Sequence, residues 1–188
     1  MKHRVIIITD GDKYAQEAVE EAGRALGCTT ISRSAGNPTP LTGPEIVDEI
    51  RKSPHDPVLV MFDDCGFNGV GQGEEALQFV AKHPDIIPLG AIAVASNSYL
   101  QEWTHVDLSI DRYGNLTPYG VDKEGLPDIE YARIVGDTVY CLDQLELPLI
   151  VGIGDIGKLH GVDEAKNGAP ITKQAIEIIL ERSGPHRG

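Results

Sequence analysis

The chain has 188 residues, a length that favours one domain and allows a substantial core. Apolar residues make up 41% and charged residues 24%, the balance of a soluble globular protein. With 16 basic against 29 acidic side chains, the formal net charge is −13, which disfavours nonspecific binding to nucleic acid and to anionic lipid.

The chain opens on Met1-Lys2-His3-Arg4 and the apolar run Val5 to Ile8. Thr9 and Asp10 end that run before a signal-peptide core could form. No stretch approaches the roughly 20 apolar residues of a spanning helix. A soluble, unexported protein is expected, meeting a membrane only through partners. Cys28, Cys65 and Cys141 are odd in number and far apart, so a disulfide framework or structural zinc site is not expected.

Val5 to Thr9 reads as a buried parallel strand. Tyr14 to Leu26 has helical spacing and is stopped by Gly27. Cys28 to Ser32 is a second strand, followed by the breaker-rich loop "SAGNPTPLTG". Thr42 and Glu45 form a capping-box pattern for a helix to about Arg51. Val58 to Phe62 is a third strand, Gly73 to Lys82 a third helix, and Leu89 to Ala95 a fourth strand. "VDLSIDRYGNLTPYGVDKEG" alternates around Tyr113-Gly114-Asn115 and reads as an inserted β-hairpin. Removing Tyr113–Asn115 is expected to leave the fold intact. Ile129 to Leu145 is ambiguous, with Gly136-Asp137 interrupting a weak helical pattern. "LPLIVGIG" is a fifth strand and "APITKQAIEIILERSG" the last helix. The expected fold is a single three-layer α/β domain over residues 1–184 with a flexible tail at 185–188. Its mostly parallel sheet has four to five strands in Toprim-like or flavodoxin-like order, which would put the first and third strands side by side.

Ligands of such sheets bind at the carboxyl ends of the strands. There the sequence places Asp10 and Asp12, Asp63 and Asp64, Ser96 and Asn97, and Asp155 and Lys158. Crowded carboxylates repel one another, and a magnesium or calcium ion would relieve them through oxygen ligands. Asp10, Asp12, Asp63 and Asp64 are therefore the candidate metal ligands. The alternative is that they cap helices, as Asp commonly does. Gly66, Gly69, Gly71 and Gly73 could turn backbone N–H groups toward an anion at the third helix, but the Lys and Ser/Thr of a P-loop are missing. Asp63 and Asp64 would repel an anion there unless a cation bridged them, so a mobile or tightly turned loop is the preferred reading. Gly66, Gly69, Gly71, Ser96, Asp155 and Lys158 are the candidate binding residues. "GIGDIG" matches G-x-G-x-x-G, but it follows the last strand with no second βαβ unit after it. Asp63 and Asp64 beside Cys65 would disfavour its thiolate, so Cys65 reads as a packing residue.

"TDGD" and "MFDDCG" resemble the acidic motifs of Toprim domains, which bind magnesium and handle phosphodiesters. Here, however, Asp10 stands for the Toprim Glu, and adjacent Asp63-Asp64 for its Asp-x-Asp. The acids with Ser96 and Lys158 are also similar to a response-regulator receiver, although the hairpin and Gly-rich loop are foreign to that fold. Both are analogies of fold. A more extensive resemblance runs from about Val5 to Gly184. "SAGNPTPLTG", "DPVLVMFDDCGF", "HPDIIPLGAIAVAS", "YGVDKEGLPD" and "GDTVYCLDQLELPLIVGIGDIGK" resemble the soluble stage V sporulation protein AE family of spore-forming Bacilli and Clostridia. That resemblance implies a role in the spore system that moves calcium-dipicolinate across the inner spore membrane, acting in germination. It implies the other stage V sporulation A proteins as partners and a location in the forespore or spore. It carries over no catalytic residue.

Three expectations follow: a non-enzymatic accessory subunit of a channel, a Toprim-like magnesium-dependent phosphoryl-transfer enzyme, or a small-molecule or cation-binding module. No nucleic-acid partner is expected, and a homo-oligomer is compatible with each. The segment Tyr99 to Asp128, with Tyr99, Trp103, Tyr113 and Tyr119, is the candidate docking surface.

Overall fold

The computed structural model describes residues 1–65, 70–97 and 101–184. Gly66, Gly69, Tyr99 and the tail 185–188 therefore lie outside the described residues. In chain order the elements are β1 (His3–Ile8), α1 (Lys13–Leu26), β2 (Thr29–Thr30), α2 (Gly43–Arg51), β3 (Val58–Met61), α3 (Gln72–Lys82) and β4 (Ile86–Val94). Then come β5 (Trp103–His105), β6 (Leu108–Ile110), β7 (Leu116–Thr117), β8 (Gly120–Val121), β9 (Pro127–Asp128), β10 (Arg133–Val135), β11 (Ile150–Ile153) and α4 (Pro170–Ser183).

The α/β class and the mostly parallel sheet are as expected. The main sheet has seven strands, in the order β2-β3-β1-β4-β11-β6-β7. The first and third strands are neighbours, with Val5 beside Val58 and Ile8 beside Met61. In a flavodoxin the first strand lies between the second and third. Here the third lies between the second and first. The count exceeds four to five because the hairpin belongs to the main sheet. Leu108–Ile110 pairs parallel to β11, and Leu116–Thr117 folds back antiparallel at the edge. Buried Leu108 and Ile110 join the core, so this strand is held by packing as well as by its ladder.

The central strands β3 and β11 and the apolar parts of β1 and β4 are buried on both faces, as their unbroken apolar runs require. Ile6 and Ile8 point into the core under α1 and α4; Val5 and Ile7 point into the core under α2 and α3. The second core continues over β11 through Ile134, Val139, Cys141 and Leu142. The ambiguous stretch is thus β10 followed by a 3-10 turn at Tyr140–Gln144. Gly136 interrupts the pattern because a Cβ there would run into the Val94 carbonyl and Ser96.

Local chemistry sets the element ends. Asp12 caps α1, and Gly27 closes it with φ 72°. Thr42 and Glu45 complete the capping box of α2. Strand β2 is shorter than its sequence suggests because Ser34 replaces a ladder partner: the Met61 N–H donates to Ser34 Oγ at 3.0 Å. The hairpin tip is pinned by Asp111, which is 7% exposed. Its carboxylate accepts from the N–H groups of Tyr113 (2.8 Å) and Asn115 (2.9 Å). Deleting Tyr113–Asn115 would strand that buried carboxylate, so the tip is structural, contrary to the expectation from sequence. Among the described residues no helix is long and apolar enough to cross a membrane.

Helix α4 is capped from a distance. Ala169 at its start offers no side-chain cap. Asp163, fully buried, accepts from Ile171 N–H (2.8 Å), Thr172 N–H (3.0 Å) and Thr172 Oγ1 (2.6 Å). The same carboxylate accepts the Gly157 N–H at 3.0 Å, tying α4 to the loop after β11. Asp163→Ala leaves those donors unmatched. It is expected to lower unfolding free energy by about 2–4 kcal/mol in urea titration. Asp163→Asn, which keeps an acceptor oxygen, should cost less.

Candidate functional site

A cleft of about 360 Å³ opens at the carboxyl rim of the main sheet. Four strand ends build it. Asp10 and Asp12 follow β1, Asp63 follows β3, Ser96 and Asn97 follow β4, and Asp155 and Lys158 follow β11. The loop between β2 and α2 walls one side and contributes Asn37. It is fixed against its neighbours by backbone bonds, Gly36 N–H to Gly11 O at 2.7 Å and Thr39 N–H to Asp63 O at 2.9 Å. Buried Thr39 also accepts the Asp63 N–H through Oγ1 at 2.8 Å. This loop therefore sets where Asp63 sits.

The carboxylates divide the work between folding and the cleft. Asp10 accepts the N–H groups of Gly11 (2.7 Å) and Asp12 (3.4 Å). Asp12 Oδ1 caps α1 through the Ala15 N–H at 2.8 Å, while its Oδ2 accepts from Lys158 Nζ at 3.1 Å. Lys158 Nζ also reaches Asp155 Oδ2 at 3.2 Å and lies 5.3 Å from the Tyr14 ring centroid. One carboxylate oxygen from each of Asp10, Asp12 and Asp155 falls within 4.8 Å of the others. Asp63, 7% exposed, accepts the Cys65 N–H at 2.9 Å and lines the same cleft.

Asp64 does not line the cleft. Its carboxylate turns to α3, accepting from Gly73 N–H at 2.7 Å and Glu74 N–H at 3.1 Å, and from Thr138 Oγ1 at 3.0 Å. For Asp64 the capping alternative holds. Gly71 begins α3 without a side-chain cap, and a Cβ on it would collide with the Asp64 carboxylate. The "GIGDIG" glycines serve packing. Gly152 lies against Ser109 and Ile134, Gly154 against Gly125, and Gly157 (φ 78°) against the Tyr14 backbone. Lys123 and Asp137 also line the cleft, unmarked by any motif. They arrive through the β8–β9 turn and the segment after β10. Asp155 N–H donates to Lys123 O at 2.8 Å, and Asp137 N–H to Ser96 Oγ at 2.9 Å.

Burial and mutual repulsion dominate the electrostatics. Asp10 is raised to about 8, first by burial and then by the charges of Asp12 and Asp63. Asp63 is raised to about 6 by burial, with Asp137, Asp64 and Asp12 adding to it. Burial also raises Asp155, against the opposing pull of Lys158. Lys158 itself is raised: burial works against its charge, but the hydrogen bond to Asp12 and the field of Asp155 outweigh burial. At neutral pH the cleft thus keeps a proton on Asp10 and an ammonium between Asp12 and Asp155.

These shifts fix a pH dependence. Between its ordinary value of 3.8 and about 8, Asp10 binds a proton in the folded chain that it has released in the unfolded one. Stability is then fully present below the lower value and is lost as pH rises through the upper one. Asp63 acts in the same direction up to about 6. Exposed Glu45 and partly buried Asp85, held low by Thr42 and Arg51, act oppositely at the acid end. Melting temperature is expected to fall between pH 5.5 and 8.5. Asp10→Asn should flatten that fall and melt several degrees higher than wild type at pH 8.5, at about 2–4 °C per kcal/mol for a chain of this size. A parallel decline in the variant, measured by circular dichroism, would assign the pH dependence elsewhere.

No curated protein and no solved structure matches the chain. A family model does: the one described as Stage V sporulation protein AE1, over residues 4–183 of 188. The chain belongs to the Stage V sporulation protein AE1 family, which supports a role in sporulation.

Proposed function

We propose that this protein is a soluble accessory component of the stage V sporulation A system, acting in germination beside the calcium-dipicolinate channel of the inner spore membrane. Its working part is the rim cleft, where Asp10, Asp12 and Asp155 hold a divalent cation. The observation that carries this reading is the convergence of those three carboxylates within 4.8 Å. Calcium and magnesium take such oxygens, and Asp63 adds negative field from the same cleft. Lys158 now supplies the counter-charge between Asp12 and Asp155. A divalent ion would take its place and drive off the proton on Asp10.

Binding without turnover is the better reading because of Asp64. A Toprim-like enzyme needs both carboxylates of the Asp63-Asp64 pair at its metal. Asp64 is committed to the start of α3 and to Thr138. Docking to the other stage V sporulation A proteins falls to the hairpin, where Tyr113 is 68% and Tyr119 40% exposed. Trp103 is partly buried and stacks within the protein instead.

Two experiments test these parts separately. In calorimetric titration with calcium or magnesium chloride, binding at millimolar concentration or tighter is expected, with proton release at pH 7. Affinity should rise with pH toward 8, by up to about tenfold per unit. Asp10→Asn and Asp12→Asn should weaken binding by about tenfold or more, whereas Asp64→Asn should leave it unchanged. Lack of binding by either cation would remove the cation from the proposal. For docking, Tyr113→Ala keeps the Asp111 knot and should reduce capture of the channel proteins from spore membranes by about fivefold or more. Equal capture by the variant would move the docking surface away from the hairpin.

A further inference from the structure

A second cavity, of about 200 Å³, adjoins the acidic cleft and shares Ser96, Asn97 and Lys123 with it. Its chemistry is different. Arg133, on β10, lines it, and the Arg133 guanidinium lies 4.3 Å from the Tyr131 ring centroid and 5.6 Å from that of Trp103. Arg133 pairs with His105 across the β5–β10 ladder, which places Trp103 two residues along the facing strand. Strand β8 presses on the Arg133 backbone so closely that a Cβ on Gly120 would overlap the Arg133 carbonyl. The arginine is thus held in place by rings and backbone.

What it lacks is a counter-ion. Arg4, Arg24, Arg33 and Arg51 each pair with a carboxylate. Arg133 makes no ion pair among the described residues, and its Nε is buried with no hydrogen-bond partner. Arg112 and Arg182 also make no ion pair among the described residues; Arg133 differs in lining a cavity with its Nε buried. The two acids of the same cavity are engaged by their own turns. Asp122 Oδ1 accepts from Glu124 N–H (2.9 Å) and Leu126 N–H (3.0 Å), and Asp128 Oδ1 from Glu130 N–H (3.1 Å). The buried Nε is closed to a ligand, so the donors open to one are the terminal amino groups of the guanidinium, which make no hydrogen bond among the described residues. Stacking orients the guanidinium in the way a carboxylate partner otherwise would.

We propose that this cavity is an oxyanion subsite, in which Arg133 and Lys123 bind the carboxylate or phosphate group of a small metabolite. The planar fork of Arg133 fits either oxyanion. The volume suits one such group, and the adjoining acids repel a polyanion. Asn97 and Ser96 line both cavities and mark their shared border. A ligand spanning it presents its oxyanion to Arg133 and a cationic or metal-bound part to Asp10, Asp12 and Asp155. The oxyanion subsite does not depend on a cation in the acidic cleft.

Trp103 is the chain's single tryptophan and reports on Arg133 directly. Wild-type protein is titrated with sodium phosphate and, separately, with sodium succinate. Ionic strength is held constant with chloride. A saturable change in Trp103 emission is expected with at least one titrant. Phosphate saturating at lower concentration assigns a phosphate ligand; succinate doing so assigns a carboxylate. Arg133→Met, which keeps the apolar stem, should weaken the response by about tenfold to a hundredfold, and Arg133→Lys by less. Asp12→Asn should leave anion affinity unchanged or tighter even if it abolishes cation binding, so that failure of either site is told apart. An emission change that follows ionic strength alone overturns the subsite. So does an Arg133→Met midpoint equal to that of wild type.

Discussion

One ammonium group stands among the carboxylates at the sheet rim, and the shape of the cleft depends on it. Lys158 reaches Asp12 on the loop after β1 and Asp155 on the loop after β11, joining two strand ends that the sheet separates by β4. Without Lys158, Asp10, Asp12, Asp63 and Asp155 would have only Lys123, backbone N–H groups and protonation to reduce their repulsion. The loop that delivers Lys158 is itself fastened by Asp163 to the start of α4. A buried carboxylate outside the cleft therefore holds the cation that makes the cleft tolerable.

Much of this was legible in the sequence. Short β-branched runs between helical repeats gave a parallel sheet, and the rule that ligands bind at the carboxyl ends of its strands picked out Asp10, Asp63, Ser96, Asp155 and Lys158. The pair Asp63-Asp64 shows where such reading stops. Successive residues leaving a strand point to opposite sides, so one of the two had to turn from the cleft. Which one depends on Thr39 and Thr138, and these reach the pair from loops distant in sequence.

Other features came only from the fold. Lys123 and Asp137 have no motif around them; a hairpin turn and an irregular segment carry them over the rim. No sequence motif marks Arg133. Its setting arises from the pairing of β10 with β5 and from the close approach of β8, contacts that no local pattern encodes. The hairpin was visible as alternation, but its merger with the main sheet was not, because β6 is only three residues long and pairs with the outer side of β11. The same architecture places an acid-rich cleft and an arginine-bearing cavity side by side, separated by Ser96, Asn97 and Lys123.

Asp12 gives its two oxygens different employers. Oδ1 belongs to helix α1, through the Ala15 N–H; Oδ2 belongs to whatever cation occupies the rim, at present Lys158. An exchange of occupant at Oδ2 leaves the bond at Oδ1 in place. Helix α1 packs against α4, and α4 is tethered through Asp163 to the Lys158 loop. On the proposed reading, a divalent ion at Oδ2 would displace only the lysine arm, because the bonds that hold α1 and α4 do not pass through that oxygen.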